Sequence, residues 1–264
     1  MIAGELASRV DFGRTLAREA GALAKRYFLR EIPYAAETKG PQDWVSAADV
    51  AVENLIRRRL AHAFPGDTVY GEERGGELGT HAWLVDPIDG TINFIHGVRY
   101  WCVSIAFTVA GERRIGLVYD PSLDELFWAA KGAGAWCDGT RIHVAPRDLL
   151  DYALVCVGYV PRHSLDEHLR LKRLLHEAGA AVKDMGAGAL MLAHVAAGRY
   201  DAFVEPHMNA WDALGGLLLV DEAGGRTLPY PGPGGLPSGG PVLAAAPGIF
   251  DALARLLQQA RAIP

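Results

Sequence analysis

The stretch "WLVDPIDGTINF", Trp83 to Phe94, constrains this chain more than any other. The apolar run Trp83–Val85 reads as a strand, and it leads into Asp86 and Asp89, with Pro87 between them and Gly90-Thr91 behind. Pro87 restricts Asp86 to extended conformations and bends the chain. The spacing lets both aspartates converge on one side of a turn at the strand's end. Two carboxylates that close repel each other unless something positive lies between them. A hard divalent cation bound by oxygen ligands is the simplest candidate. Mg²⁺ suits one or two carboxylates completed by water and phosphate oxygens. Gly90-Thr91 adds N–H groups and a hydroxyl, and amides in a tight turn or at a helix start can cradle an anion. The plainer alternative is an Asx-type turn, since Asp-Pro and Asp-Gly both occur in ordinary loops.

Other acids stand at element edges. "YGEERGG" places Glu72 and Glu73 after a short strand, where Glu73 reads as an exposed acidic turn. "AWDALGG" places Asp212 at a helix start, where N-capping competes with any other role. Asp49 closes a Ser46-x-x-Asp49 pattern that resembles a capping box. Each acid has a structural use of its own; their recurrence at edges points to a shared site.

The rest of the chain bounds the fold. Apolar residues recur at helical spacing from Leu6 to about Phe28, and again through "VSAADVAVENLIRRRLAHAF". From Trp101 short strands alternate with turn signals, as in an antiparallel meander. After Pro146 strands alternate with helices, which indicates an α/β layer. The fold class is therefore α/β, with an α+β half carrying an antiparallel sheet over residues 1–145. An α/β half over 146–264 completes the site, in the cleft between the two.

Composition excludes several functions. The net charge is −5 and no basic stripe is visible, so no nucleic-acid partner is expected. The run Arg57-Arg58-Arg59 reads as the solvated face of a helix. Three cysteines, none at CxxC spacing, argue against a disulfide framework or a zinc knuckle and favour a reducing cytoplasm. The first residues read as an amphipathic helix and not as a signal peptide, and no apolar run has membrane-spanning length.

"GEE", "WLVDPIDGTINFIHG" and "AWDALGG" together resemble the three signature segments of the inositol monophosphatase family of Mg²⁺-dependent, lithium-sensitive phosphatases. The order and spacing agree from about Thr38 to Ala246. The resemblance implies a layered αβαβα sandwich, a homodimer and two to three Mg²⁺ per active site. Glu72, Asp86 and the carbonyl of Ile88 would hold one ion, and Asp86, Asp89 and Asp212 a second. A third would lie near Glu72, held mostly by water. The amides of Gly90 and Thr91 would grip the phosphate. The Thr91 hydroxyl, with Asp49, would orient or deprotonate the attacking water.

The resemblance also bears on substrate. Glu205 lies seven residues before Asp212, where members acting on inositol carry a hydroxyl-binding glutamate. Gly186 and Gly188 match a pocket-lining run, but Ala187 replaces its usual hydroxyl residue. The implied reaction is hydrolysis of a small phosphorylated metabolite, inositol 1-phosphate first and histidinol phosphate as runner-up, with Asp184 or Glu205 meeting the amine. Fructose 1,6-bisphosphate, nucleotide 3′-phosphates and NADP are further family substrates, and fold alone does not choose between them. A regulatory partner protein on the same scaffold is the non-enzymatic alternative; it predicts a lost metal ligand or a basic surface.

Overall fold

The computed structural model describes residues 4–40, 43–161 and 163–261. The chain opens with helix α1 (Gly4–Phe28), the hairpin β1 (Ala36–Gly40) and β2 (Asp43–Ser46), and helix α2 (Ala47–Ala63). Strands β3 (Thr68–Gly71) and β4 (His81–Asp89) precede the short helix α3 (Thr91–Ile95). A meander follows: β5 (Cys102–Val109), β6 (Glu112–Asp120), β7 (Glu125–Ala130), β8 (Gly134–Cys137) and β9 (Thr140–Ile142). Then come β10 (Leu154–Val157), α4 (Leu165–Glu177), β11 (Ala181–Lys183), α5 (Gly188–Ala196) and β12 (Ala202–Met208). Helix α6 (Ala210–Glu222), β13 (Arg226–Thr227), β14 (Gly240–Ala245) and α7 (Pro247–Arg261) complete the order.

Strands β3 to β9 form one seven-stranded sheet in chain order, antiparallel except for the parallel pair β3–β4. A second, mixed sheet has the order β11-β10-β12-β14-β13. The period-two alternation of the strands decides the layering. On β4 to β6, Trp83, Val85, Val103, Ile105, Phe107, Leu117 and Tyr119 face α1 and α2. Burying each of the larger side chains contributes about 1.5–3 kcal/mol. Cys102 and Val118 face the other way, onto α5 and α6, whose far sides pack on Phe203, Val242 and Ala244 of the second sheet. Helices α4 and α7 cover that sheet's outer face through Leu171, Leu175, Ile249 and Leu253. The result is five layers, αβαβα, as the resemblance implies.

The two middle helices are apolar around most of their circumference, as a layer between two sheets requires. The expected division near residue 145 falls in the connection between β9 and β10. Around α5 and α6 one apolar cluster draws on both sheets.

Two local expectations are corrected. Strand β4 does not stop at Val85; it runs on through Asp89. Arg57 is not on a solvated face. It pairs with the fully buried Glu53 at 2.7 Å, and it donates to the carbonyls of Val69 (3.1 Å) and Gly75. Arg58 and Arg59 are exposed, as expected.

Candidate active site

The two aspartates of the opening stretch converge because of a β-bulge, not a turn. In an unbroken strand, residues three apart point to opposite faces. On β4, Asp86 pairs with Ser104, but Asp89 pairs with Cys102, so β4 carries one extra residue over this interval. A bulge tolerates Pro87, which has no N–H to give the ladder. The extra residue turns Ile88 into the core against α1 and α2 and returns Asp89 to the face of Asp86. The Asx element is present inside the bulge: the Ile88 N–H donates to Asp86 Oδ1 at 2.8 Å.

Behind the bulge, Gly90 has φ 91°, in the left-handed region that disfavours a side chain. A Cβ there would also stand 3.0 Å from Ala187 Cβ and 3.1 Å from the Tyr100 carbonyl. Glycine thus lets the chain leave β4 and enter α3 at once. The Thr91 hydroxyl then sits 3.1 Å from the Ile88 carbonyl and 3.4 Å from Asp49 Oδ1.

The capping assignments hold as well. Asp49 is the third residue of α2, and its Oδ2 accepts from the N–H (2.8 Å) and hydroxyl (2.6 Å) of Ser46. Asp212 takes the same place in α6, accepting from the N–H and side-chain amide of Asn209, both at 3.3 Å. Capping fixes each carboxylate at a helix start and leaves its second oxygen for the site.

Oxygens of Glu72, Asp86 and Asp212 lie within 4.8 Å of one another. Asp89 stands next to this group, but its oxygens are engaged elsewhere. They accept from the N–H groups of Gly188 (3.1 Å), Ala189 (2.8 Å) and Leu190 (3.3 Å), which seats the start of α5 across the cleft. Among the described residues, no lysine or arginine pairs with Asp86, Asp89 or Asp212.

The electrostatics follow from that packing. Burial raises Asp86 well above the usual carboxylate range, and the charges of Glu72, Asp212 and Asp89 push it further. Burial lifts Asp212 to about 8, helped by Asp89 and Glu205 and opposed by a hydrogen bond with Asp86. Asp89 rises only to about 6, because the three amides stabilise its anion. Asp49 also rises to about 6, by burial, against the two bonds from Ser46. Such a cluster stays together only by keeping protons or by taking up a cation. Three carboxylates around one point, with the Asp86 and Asp212 members unpaired to any lysine or arginine among the described residues, fit a hard divalent ion.

The open side of the cluster is a cavity of about 380 Å³. Glu72, Asp89, Gly90, Thr91, Gly186, Gly188 and Glu205 all border it. Asp184 reaches its rim but is paired with Lys172 at 2.5 Å and lies 3.9 Å from His168.

Two residues of the site escape a linear reading. Asn93 donates its side-chain amide to the carbonyls of Tyr100 (2.8 Å) and Met185 (2.7 Å), tying α3 to the loop before α5. A polar residue inside the apolar run "TINFI" is the signal that could have marked it. Glu53 accepts the Glu73 N–H at 2.8 Å and so holds the turn that carries Glu72. No local signal separates it from an ordinary i,i+4 surface pair with Arg57.

The class comes first: the chain shares its fold with an inositol monophosphatase and counts inositol-1-monophosphatases among its relatives, which makes it one of the phosphoric monoester hydrolases. More closely, the chain belongs to the inositol monophosphatase family, whose profile matches residues 5–262. It is 38% identical over 254 residues to the inositol-1-monophosphatase of Rhizobium meliloti, covering 94% of this chain and 92% of that protein. It is equally 38% identical over 251 residues to the Nus factor SuhB of Pseudomonas aeruginosa, covering 92% and 93%. The solved structure of extragenic suppressor protein suhB from Bartonella henselae superposes with a TM-score of 0.90. Its identity is 32%, over 96% of this chain and 99% of that one.

Proposed function

We propose that this enzyme hydrolyses a small phosphate monoester by direct attack of water, with Mg²⁺ as cofactor and inositol 1-phosphate as favoured substrate. One observation carries the reading: Glu72, Asp86 and Asp212 converge within 4.8 Å, and Glu72 opens onto a cavity that Asp89, Gly90 and Thr91 also border. Glu72, Asp86, the Ile88 carbonyl, Asp89 and Asp212 are the groups that would hold the ions. When bound, Mg²⁺ supplies a water that ionises near neutral pH and positive charge for the phosphoryl and leaving oxygens.

The chain's own residues do the positioning. Gly90 and Thr91 offer amides to the phosphate, where fixed dipoles need no reorganisation during the reaction. The Thr91 hydroxyl, between the Ile88 carbonyl and Asp49, orients the water and passes its proton towards Asp49. Asp49, with a pKa of about 6, is ionised at neutral pH yet basic enough to take that proton. Glu205 accepts hydroxyl hydrogen bonds from the alcohol part of the ester, with Gly186 and Gly188 lining the same wall.

Histidinol phosphate ranks lower because the acid nearest the rim, Asp184, already has Lys172 as its cation. The regulatory reading draws on the relatives named as Nus factors. Against it as the main role stand the complete acid cluster and the net charge of −5. By resemblance we also assign a cytoplasmic homodimer; no helix among the described residues is long and apolar enough to cross a membrane.

The test is phosphate release at neutral pH, with Mg²⁺ and with EDTA. The panel is inositol 1-phosphate, histidinol phosphate, fructose 1,6-bisphosphate, a nucleotide 3′-phosphate and NADP. The expected result is Mg²⁺-dependent release, inhibited by Li⁺, with the highest kcat/KM on inositol 1-phosphate. Another ester at the top would replace the substrate, and no Mg²⁺-dependent release from any of them would overturn the hydrolase mechanism.

A further inference from the structure

Glu205 lies on β12, and its side chain borders the active-site cavity. Two glycines flank it. A Cβ built at Gly158 would stand 2.3 Å from Glu205 Oε2, 2.5 Å from its Cδ and 2.8 Å from its Cγ. A Cβ at Gly188 would lie 3.5 Å from the same Oε2. The Gly158 N–H donates to the carbonyl of Val204 at 2.8 Å, so the backbone just beyond β10 is tied to the residue before Glu205. The carboxylate therefore lies directly against the Gly158 backbone, in space that any other residue would fill.

We infer that Gly158 is a specificity-determining residue: its missing side chain seats the Glu205 carboxylate where it meets the hydroxyls of a phosphorylated polyol. The inference rests on the reading of Glu205 as the hydroxyl acceptor. Gly158 itself acts as a positioning residue, through Glu205. Its φ is outside the left-handed region, so alanine is conformationally allowed at this position. The collision in an alanine variant falls on the far end of a flexible side chain, which can swing aside while the backbone keeps its course. A site built to hydrogen-bond hydroxyls discriminates by those bonds, and it loses discrimination when the acceptor is displaced.

The experiment is a double-mutant cycle with Gly158→Ala, Glu205→Ala and the double variant. The readout is kcat/KM for inositol 1-phosphate relative to p-nitrophenyl phosphate, which has no alcohol hydroxyls. Gly158→Ala is expected to lower that ratio about tenfold, mainly through KM, the size of one lost charge-assisted hydrogen bond. In the Glu205→Ala background, the same substitution is expected to change the ratio no further. If Glu205→Ala collapses the ratio and Gly158→Ala leaves it intact, the role of Gly158 is overturned and the substrate reading stands. If Glu205→Ala itself leaves the ratio intact, both fall. Should Gly158→Ala melt too early to assay, the cycle is read on melting temperature. Rescue by Glu205→Ala then supports the collision, and no rescue overturns it.

Discussion

Glu53 and Asp86 are both buried carboxylates, 0% and 2% exposed, and the protein treats them in opposite ways. Glu53 is compensated from within: Arg57 pairs with one oxygen at 2.7 Å and the Glu73 N–H bonds the other at 2.8 Å. Asp86 receives one amide, its own Ile88 N–H, and otherwise faces acids: Glu72, Asp212 and Asp89. A buried charge that only supports structure needs its partner built into the fold. A buried charge left among like charges destabilises the fold by itself, and a cation from outside relieves it. The contrast separates scaffold from site within one small region, because Glu53 braces the turn that presents Glu72 to Asp86.

The largest expected effect breaks the scaffold side. Glu53→Ala leaves Arg57 half-buried without its carboxylate, and such losses cost about 3–5 kcal/mol. Urea unfolding in EDTA should show this loss, because it does not depend on the metal. A loss under 1 kcal/mol would mean that the pair is ornamental. Asp86→Asn should do the reverse. Phosphate release falls at least roughly a hundredfold, or about 2.7 kcal/mol of transition-state stabilisation. The melting temperature in EDTA rises, because an amide removes the cost of taking up a proton, or holding a charge, at this buried position on folding. Asp89→Asn should lose activity similarly and keep the fold, since an amide oxygen can still accept from the start of α5. Activity near wild type in either variant would remove the residue from the metal site.

The pH dependence sharpens the comparison. Carboxylates whose folded pKa is raised keep protons that the unfolded chain releases above about pH 4. The metal-free protein therefore loses stability as pH rises, through about 6 for Asp89 and Asp49 and about 8 for Asp212. Mg²⁺ must displace those protons, so its stabilisation should be small at pH 5 and complete above pH 8. With free Mg²⁺ at tenfold its high-pH Kd, mass action gives about 1.4 kcal/mol. Melting curves with and without Mg²⁺ from pH 5 to pH 9 test this. An increment that is flat across the range would place the ion somewhere other than the acid cluster.

Much of this was legible in the chain because it is local. Helix stripes, strand alternation and the acids at element edges are written within short windows and give the α+β and α/β halves, whereas the five layers come from the resemblance of the signature segments. The bulge was not legible. The spacing of Asp86 and Asp89 reads as a turn until the partner strand is known. The extra residue exists only relative to Ser104 and Cys102, a non-local register. Arg57 was misplaced for a related reason: whether an i,i+4 pair is buried depends on where residues 69–75 fold back over it. Asn93 looks like one more residue of a short helix, and its two carbonyl partners lie in two other loops.

The smallest expected effect concerns Asp89, which stands between the two extremes. Its anion is stabilised, as that of Glu53 is, but by amides, which bring no net charge and leave it open to a cation. A fourth, weak donor is the Cys102 thiol, 3.5 Å from Oδ2. Burial, and then the Asp89 charge, raises that thiol well above its ordinary pKa, and burial pushes Cys137 and Cys156 to about 11 and 12. None of the three is a thiolate at neutral pH, so none can serve as the nucleophile. The combined variant Cys102→Ser, Cys137→Ser, Cys156→Ala keeps a donor towards Asp89 and should retain kcat/KM within about threefold, less than one ordinary hydrogen bond is worth. Replacing Cys102 by alanine in that background should cost no more than a further factor of about three, because three amides remain on Asp89. A drop beyond tenfold in the alanine version alone would show that Asp89 depends on the thiol for its orientation. The same drop in both versions would put the cost on the repacking of Cys137 or Cys156, away from the acid cluster.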